Sequence, residues 1–203
     1  MNRAVFYSAL PTEALSPTEA ERAARLRVPL AYRDGATDAI EEQLKKTIHA
    51  AMAAVQVPFR KTAEGDLNFD GLFCVKSEAL KKSLAGCESA YFLAVTLGME
   101  TERFLHRLSI LSPAEHFLAD ALASAYAEAA ADFANEILAR EYSLTSRFSP
   151  GYADLPLSLQ PVLLSTVEAN KYLHITLKDS FLMLPQKSIT AIIGIRCKKG
   201  ESL

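Results

Sequence analysis

Eleven residues in the C-terminal half, SRFSPGYADLP at 146–156, bring a fixed cation, a rigid turn and an aromatic ring into one short stretch. Arg147 presents a planar guanidinium that can hold a carboxylate through two parallel hydrogen bonds. Pro150 fixes φ at about −65° and Gly151 accepts a positive φ, the pair that a type II turn requires. Such a turn, starting at Ser149, leaves backbone N–H and C=O groups that no helix or sheet uses. Tyr152 adds a ring that can lie on a flat heterocycle or beside a cation. Together these groups suit a zwitterionic nucleoside. The same residues also make an ordinary surface turn, with Arg147 solvated and Tyr152 packed on the core, because Pro-Gly turns are common.

Other chemistry is hard to find in the chain. There is no GxGxxG after a strand, no GxxxxGK[ST], no GxSxG and no HExxH. The four histidines, at 49, 106, 116 and 174, lack the spacing of metal ligands. The three cysteines form no CxxC pair, which argues against a disulfide framework or a zinc knuckle. Cys74 and Cys197 fall inside apolar strand patterns and are expected as inert core thiols. Cys87, beside Gly86, is expected to be the exposed one. With 203 residues, half of them hydrophobic, the chain can bury a full core as one domain. A net charge of −2 is not the footprint of a nucleic-acid-binding protein. No apolar run is long enough for a signal peptide or a membrane span, so a soluble, cytoplasmic protein is expected.

The elements that must position this stretch follow from periodicity. Residues 1–36 read as an irregular segment containing one short helix at about 18–26, and 37–203 as a single α+β domain. A helix should open at Thr37, which can cap it, with Ile40, Leu44, Ile48 and Met52 at helical spacing. Strands are expected at 55–62, 67–75 and 89–97, with a short helix from Ser77 to about Gly86 between the last two. Ser112-Pro113 separates two helices, 99–110 and 113–140. The second is alanine-rich, its larger apolar residues fall mostly on one side, and it reads as the central helix of the core. Beyond the turn, 159–169 looks helical and two strands, 174–184 and 188–197, meet at Pro185-Gln186-Lys187. The order lacks a regular strand–helix alternation, which predicts a mainly antiparallel sheet packed with helices.

The quoted stretch RFSPGYADLP resembles the RPAPGYPACP-type motif of the activation domain of cobalamin-dependent methionine synthase. It is closer still to the RFSPGYGDLP-like motif of stand-alone bacterial homologues. LKDSFLMLPQKSITA at 177–191 is similar to that family's LTESFAMWPGASVSG segment, and ALASAYAEA at 121–129 to the helix preceding the motif. The likeness is strongest over 115–195 and looser from 37 to 110. It implies a protein that binds S-adenosylmethionine and docks on cobalamin carried by a corrinoid-binding methyltransferase subunit. A flavodoxin- or ferredoxin-type donor would supply the electron for reductive reactivation. By position, Arg147 would meet the carboxylate of S-adenosylmethionine, the backbone around Ser149 its adenosine, and Tyr152 would shape the pocket. Pro150 and Gly151 would hold the turn. Glu128 matches a family glutamate near the methyl donor, while by itself it also reads as a solvated helix residue. The family's helix aspartate one turn earlier is Ser124 here, and no residue of this sequence is matched to its acidic N-terminal contact. A non-catalytic module that docks on a corrinoid protein without S-adenosylmethionine is the other reading.

Overall fold

The chain is described by a computed structural model, in which residues 4–26 and 35–198 are placed. At its centre lies a five-stranded sheet in the order β1 (Phe6–Ala9), β2 (Ala51–Pro58), β6 (Ser89–Thr96), β10 (Ser188–Lys198) and β7 (Tyr142–Leu144). Every pairing in it is antiparallel. The inner strands β2, β6 and β10 are buried on both faces, so they read as continuous apolar runs rather than alternating ones.

One face of the sheet carries α2 (Gly35–Lys45), α4 (Met99–Leu111) and the 26-residue α5 (Pro113–Leu138). Alanines at 119, 123, 130, 131 and 134 are fully buried on α5, where a small side chain lets the helix lie close to its neighbours. Helix α1 (Glu19–Leu26) packs on α5, its start fixed by a capping box in which Thr18 and Glu21 bond reciprocally. The other face carries a small sheet of β3 (Arg60–Lys61), β4 (Leu67–Asn68) and β5 (Cys74–Val75), with α3 (Glu78–Ser83), α6 (Gln160–Thr166) and α7 (Ala169–Leu173). A separate hairpin, β8 (Thr176–Leu177) with β9 (Met183–Leu184), precedes β10. The expected α+β class with an antiparallel sheet and one long alanine-rich helix is the class observed.

Several local expectations are corrected. Residues 1–36 are not simply irregular: β1 closes one edge of the central sheet and α1 covers α5, as expected only for the helix. Helix α2 begins before Thr37, which is buried inside it rather than capping it. Met52 belongs to β2, because pairing with β6 along eight residues outweighs the helix preference of the alanines around it. The strand expected at 174–184 is a hairpin folded back at 178–182, since Phe181 takes a positive φ and Lys178 N–H reaches Leu182 C=O. Cys74 is exposed rather than a core thiol, and Cys87 is half-buried, with burial pushing its thiol up. The side chain of Cys197 lies outside the described residues.

Candidate functional site

The stretch 145–155 is fastened to the sheet at its start and to a helix at its end. Thr145 and Phe148 continue the edge beside β10: Thr145 N–H donates to Gly194 C=O, and Phe148 exchanges both backbone bonds with Ile192 at 2.8 and 3.0 Å. The chain then leaves the sheet in a tight turn. Tyr152 N–H donates to Ser149 C=O at 3.1 Å across Pro150 and Gly151, with Gly151 at φ +85° as a type II turn needs. Two further bonds close the loop, Gly151 N–H to Leu155 C=O and Leu155 N–H to Tyr152 C=O, and Leu155 is buried beneath it.

Asp154 ties the far end down. Its carboxylate accepts from the Ser77 hydroxyl at 2.5 Å and from Glu78 N–H at 2.7 Å, while Ser77 itself caps α3 by accepting from Leu80 N–H. The Ser77 hydroxyl, with the two backbone N–H groups of α3, holds the Asp154 carboxyl below the usual carboxylate range. The loop is thus rigid at both ends.

Above this loop opens a cleft of about 860 Å³ between the outer face of α5, the loop and the β8–β9 hairpin. Glu128, Arg147, Ser149, Pro150 and Tyr152 all line it, so five of the six residues singled out from the sequence converge. Gly151, the sixth, does not line it; a Cβ added there would lie 3.3 Å from Leu157 Cδ1. The floor is polar: Thr190 donates to Gln160 at 2.9 Å, and both are buried. The rim is apolar, with Tyr152, Leu157, Phe181 and Leu182 all exposed. Tyr152 does not pack on the core as a plain surface turn would have it; it stands on Phe148 edge-on, 5.8 Å between centroids, and is 68% exposed.

Electrostatics concentrate on one side of α5. Arg147 bridges Glu128 (3.1 Å) and Asp132 (2.5 Å), residues one helical turn apart that present both carboxylates to one guanidinium. Arg25 of α1 reaches the other oxygen of Glu128 at 3.3 Å. One turn earlier, Lys187 pairs with Asp120 at 2.8 Å and donates to Ser124 at 2.9 Å. The serine that stands where the family has an aspartate is therefore the partner of a lysine. Glu128 is therefore paired on both oxygens, although its side chain is 39% exposed.

Sequence reasoning passed over Asp132, Gln160 and Arg25. Asp132 follows Glu128 by four residues and was legible as its neighbour on one helix face. Arg25 is 103 residues away from Glu128 and only the tertiary fold brings the two together.

No family model and no curated protein matches the chain. Among solved structures, the crystal structure of the MetH reactivation domain bound to AdoHcy is similar over 100% of this chain and 81% of that one, with a TM-score of 0.69 at 14% identity. The likeness extends from β1 to β10, well beyond the segments that carry the sequence motifs. The fold expected from the resemblance, that of a methionine synthase activation domain, is the fold this chain has.

Proposed function

We propose that the chain is the accessory subunit that reactivates a corrinoid-dependent methyltransferase of the methionine synthase type, binding S-adenosylmethionine in the cleft under α5. The observation that carries this reading is the convergence of Arg147, Glu128 and Asp132 beside the PGY turn, on this fold. A guanidinium flanked by two carboxylates complements a ligand with one anionic and two cationic groups, as S-adenosylmethionine has. Arg147 would take the ligand carboxylate, and Glu128 and Asp132, released from Arg147, would face the ammonium and sulfonium. The cleft volume lies within the range of sites for ligands of this size. The buried Gln160–Thr190 pair gives its floor fixed polar groups, and the exposed rings at the rim give a flat apolar collar on which a corrin ring held by a partner could dock.

The chemistry supplied from outside would be one electron, from a flavodoxin- or ferredoxin-type donor, and the partner's cobalamin, which once reduced would serve as the acceptor of the methyl group while sulfur keeps the C–S electron pair. The role of this chain is to bind and orient the sulfonium and to exclude water from it. The test is a reconstitution: a cob(II)alamin-loaded methionine synthase module lacking its own activation domain, reduced flavodoxin, S-adenosylmethionine and this chain. Methylcobalamin formation that needs both the chain and S-adenosylmethionine supports the reading. A rate unchanged by the chain overturns it.

One observation favours the second reading, a docking module that does not use S-adenosylmethionine: Arg147 is already satisfied by two carboxylates of its own chain. On that reading the apolar collar alone meets the corrinoid protein, and the chain co-purifies with it while binding no methyl donor.

A further inference from the structure

Helix α1 ends beside the cleft and shares its central carboxylate. Glu128 Oε2 faces Arg147, and its Oε1 faces Arg25 from the outer side. The two contacts differ in strength. Arg147 is only 20% exposed and bridges two acids, whereas Arg25 is 47% exposed and makes a single contact at 3.3 Å. One turn earlier on the same helix, Arg22 is held at 2.9 Å by buried Glu41. Arg25 can therefore swing off Glu128 while α1 keeps its seat.

We infer that Arg25 is a specificity-determining residue that sets the balance of the cleft between the sulfonium S-adenosylmethionine and its demethylated thioether, S-adenosylhomocysteine. The inference rests on the proposed reading of the cleft as a site for S-adenosylmethionine. It follows from charge matching. Arg147, Glu128 and Asp132 together carry one net negative charge. At neutral pH S-adenosylmethionine carries a carboxylate, an ammonium and a sulfonium, one net positive charge, whereas S-adenosylhomocysteine is a neutral zwitterion. With Arg25 on Glu128 the four protein groups are neutral and match the thioether. With Arg25 withdrawn they match the sulfonium. Lys178 at the hairpin also lines the cleft, but its positive charge is the same whether Arg25 is on Glu128 or withdrawn, so the shift that Arg25 makes is unchanged; Lys187 is neutralised by Asp120 outside the cleft lining. Arg25 thus opposes the methyl donor and is indifferent to the product.

Calorimetric titration of both nucleosides at low salt into the wild type, Arg25→Gln and Arg25→Lys separates the outcomes. The expected result is that Arg25→Gln binds S-adenosylmethionine about threefold more tightly, the scale of an exposed ion pair, with S-adenosylhomocysteine unchanged. Arg25→Lys restores the wild-type ratio, and ~0.5 M salt removes the difference between variants. Equal changes for both nucleosides, or no change in their ratio, would overturn the inference while leaving the cleft's ligand in place. Failure of the wild type to bind either nucleoside would overturn the underlying reading and the inference with it.

Discussion

Helix α5 carries two arginine–carboxylate clusters two residues apart, and they are built for different ends. At Tyr126 the cluster is sealed. The Tyr126 hydroxyl and Arg22 both donate to Glu41 Oε1, at 2.7 and 2.9 Å, and Glu41 is 4% exposed. At Glu128 the cluster of Arg147, Asp132 and Arg25 opens onto the cleft, with the Glu128 and Asp132 side chains 39% and 56% exposed. The same chemistry locks three helices together in one place and stays exchangeable in the other. Burial decides which: a desolvated ion pair can be broken only at high cost, whereas a half-solvated one can trade partners with a ligand.

The largest effect should come from breaking the sealed cluster. Glu41→Ala removes the buried acceptor of the Tyr126 hydroxyl and of the Arg22 guanidinium, which is 22% exposed, and is expected to destabilise the fold by about 3 kcal/mol in urea unfolding. Burial pushes the Glu41 carboxyl up, but the Tyr126 hydroxyl and Arg22 outweigh it and hold the group below its ordinary value of 4.5. A carboxyl lowered on folding stabilises the protein above its unfolded value and loses that contribution as pH falls through the folded one. Thermal stability should therefore fall below about pH 4.5 in the wild type, and less steeply in Glu41→Gln, which has no such proton to take up.

The open cluster should respond in binding rather than in stability. Arg147→Ala is expected to weaken S-adenosylmethionine by ~2–4 kcal/mol in calorimetry, with only a small change in unfolding. Between these stands the turn. Gly151→Ala puts a Cβ at φ +85° and 3.3 Å from Leu157, and should cost roughly 1–2 kcal/mol of stability together with affinity, since the turn shapes the cleft wall. A smaller effect is expected from Asp154→Asn. It keeps the shape but loses the charge that the N–H groups of α3 attract, so the acid sensitivity of the loop, followed by the NMR resonances of Tyr152, should diminish.

These two clusters also show what the sequence could and could not reveal. The turn geometry was legible because Pro150 and Gly151 leave little choice of backbone. Long elements with strong periodicity or β-branched runs, such as α5 and β6, were legible for the same reason. Met52 was misread because an alanine-rich strand buried on both faces has no alternation to betray it, and helical spacing arises there by chance. The edge strand β1 was missed because four residues with a mostly exposed pattern carry almost no signal. Arg22–Glu41–Tyr126 and Arg25–Glu128 join residues from separate helices, so no local pattern encodes them. The motif marked where the site is; only the packing of α1 and α2 on α5 shows which of its charges are committed.

The most direct measurement is the titration of S-adenosylmethionine into the wild type and into Arg147→Ala, followed by calorimetry at neutral pH and low salt. One saturable site is expected in the wild type and at least a tenfold loss in the variant, with the fold of both intact. Absence of binding to the wild type, or equal binding to both proteins, would contradict the proposed function.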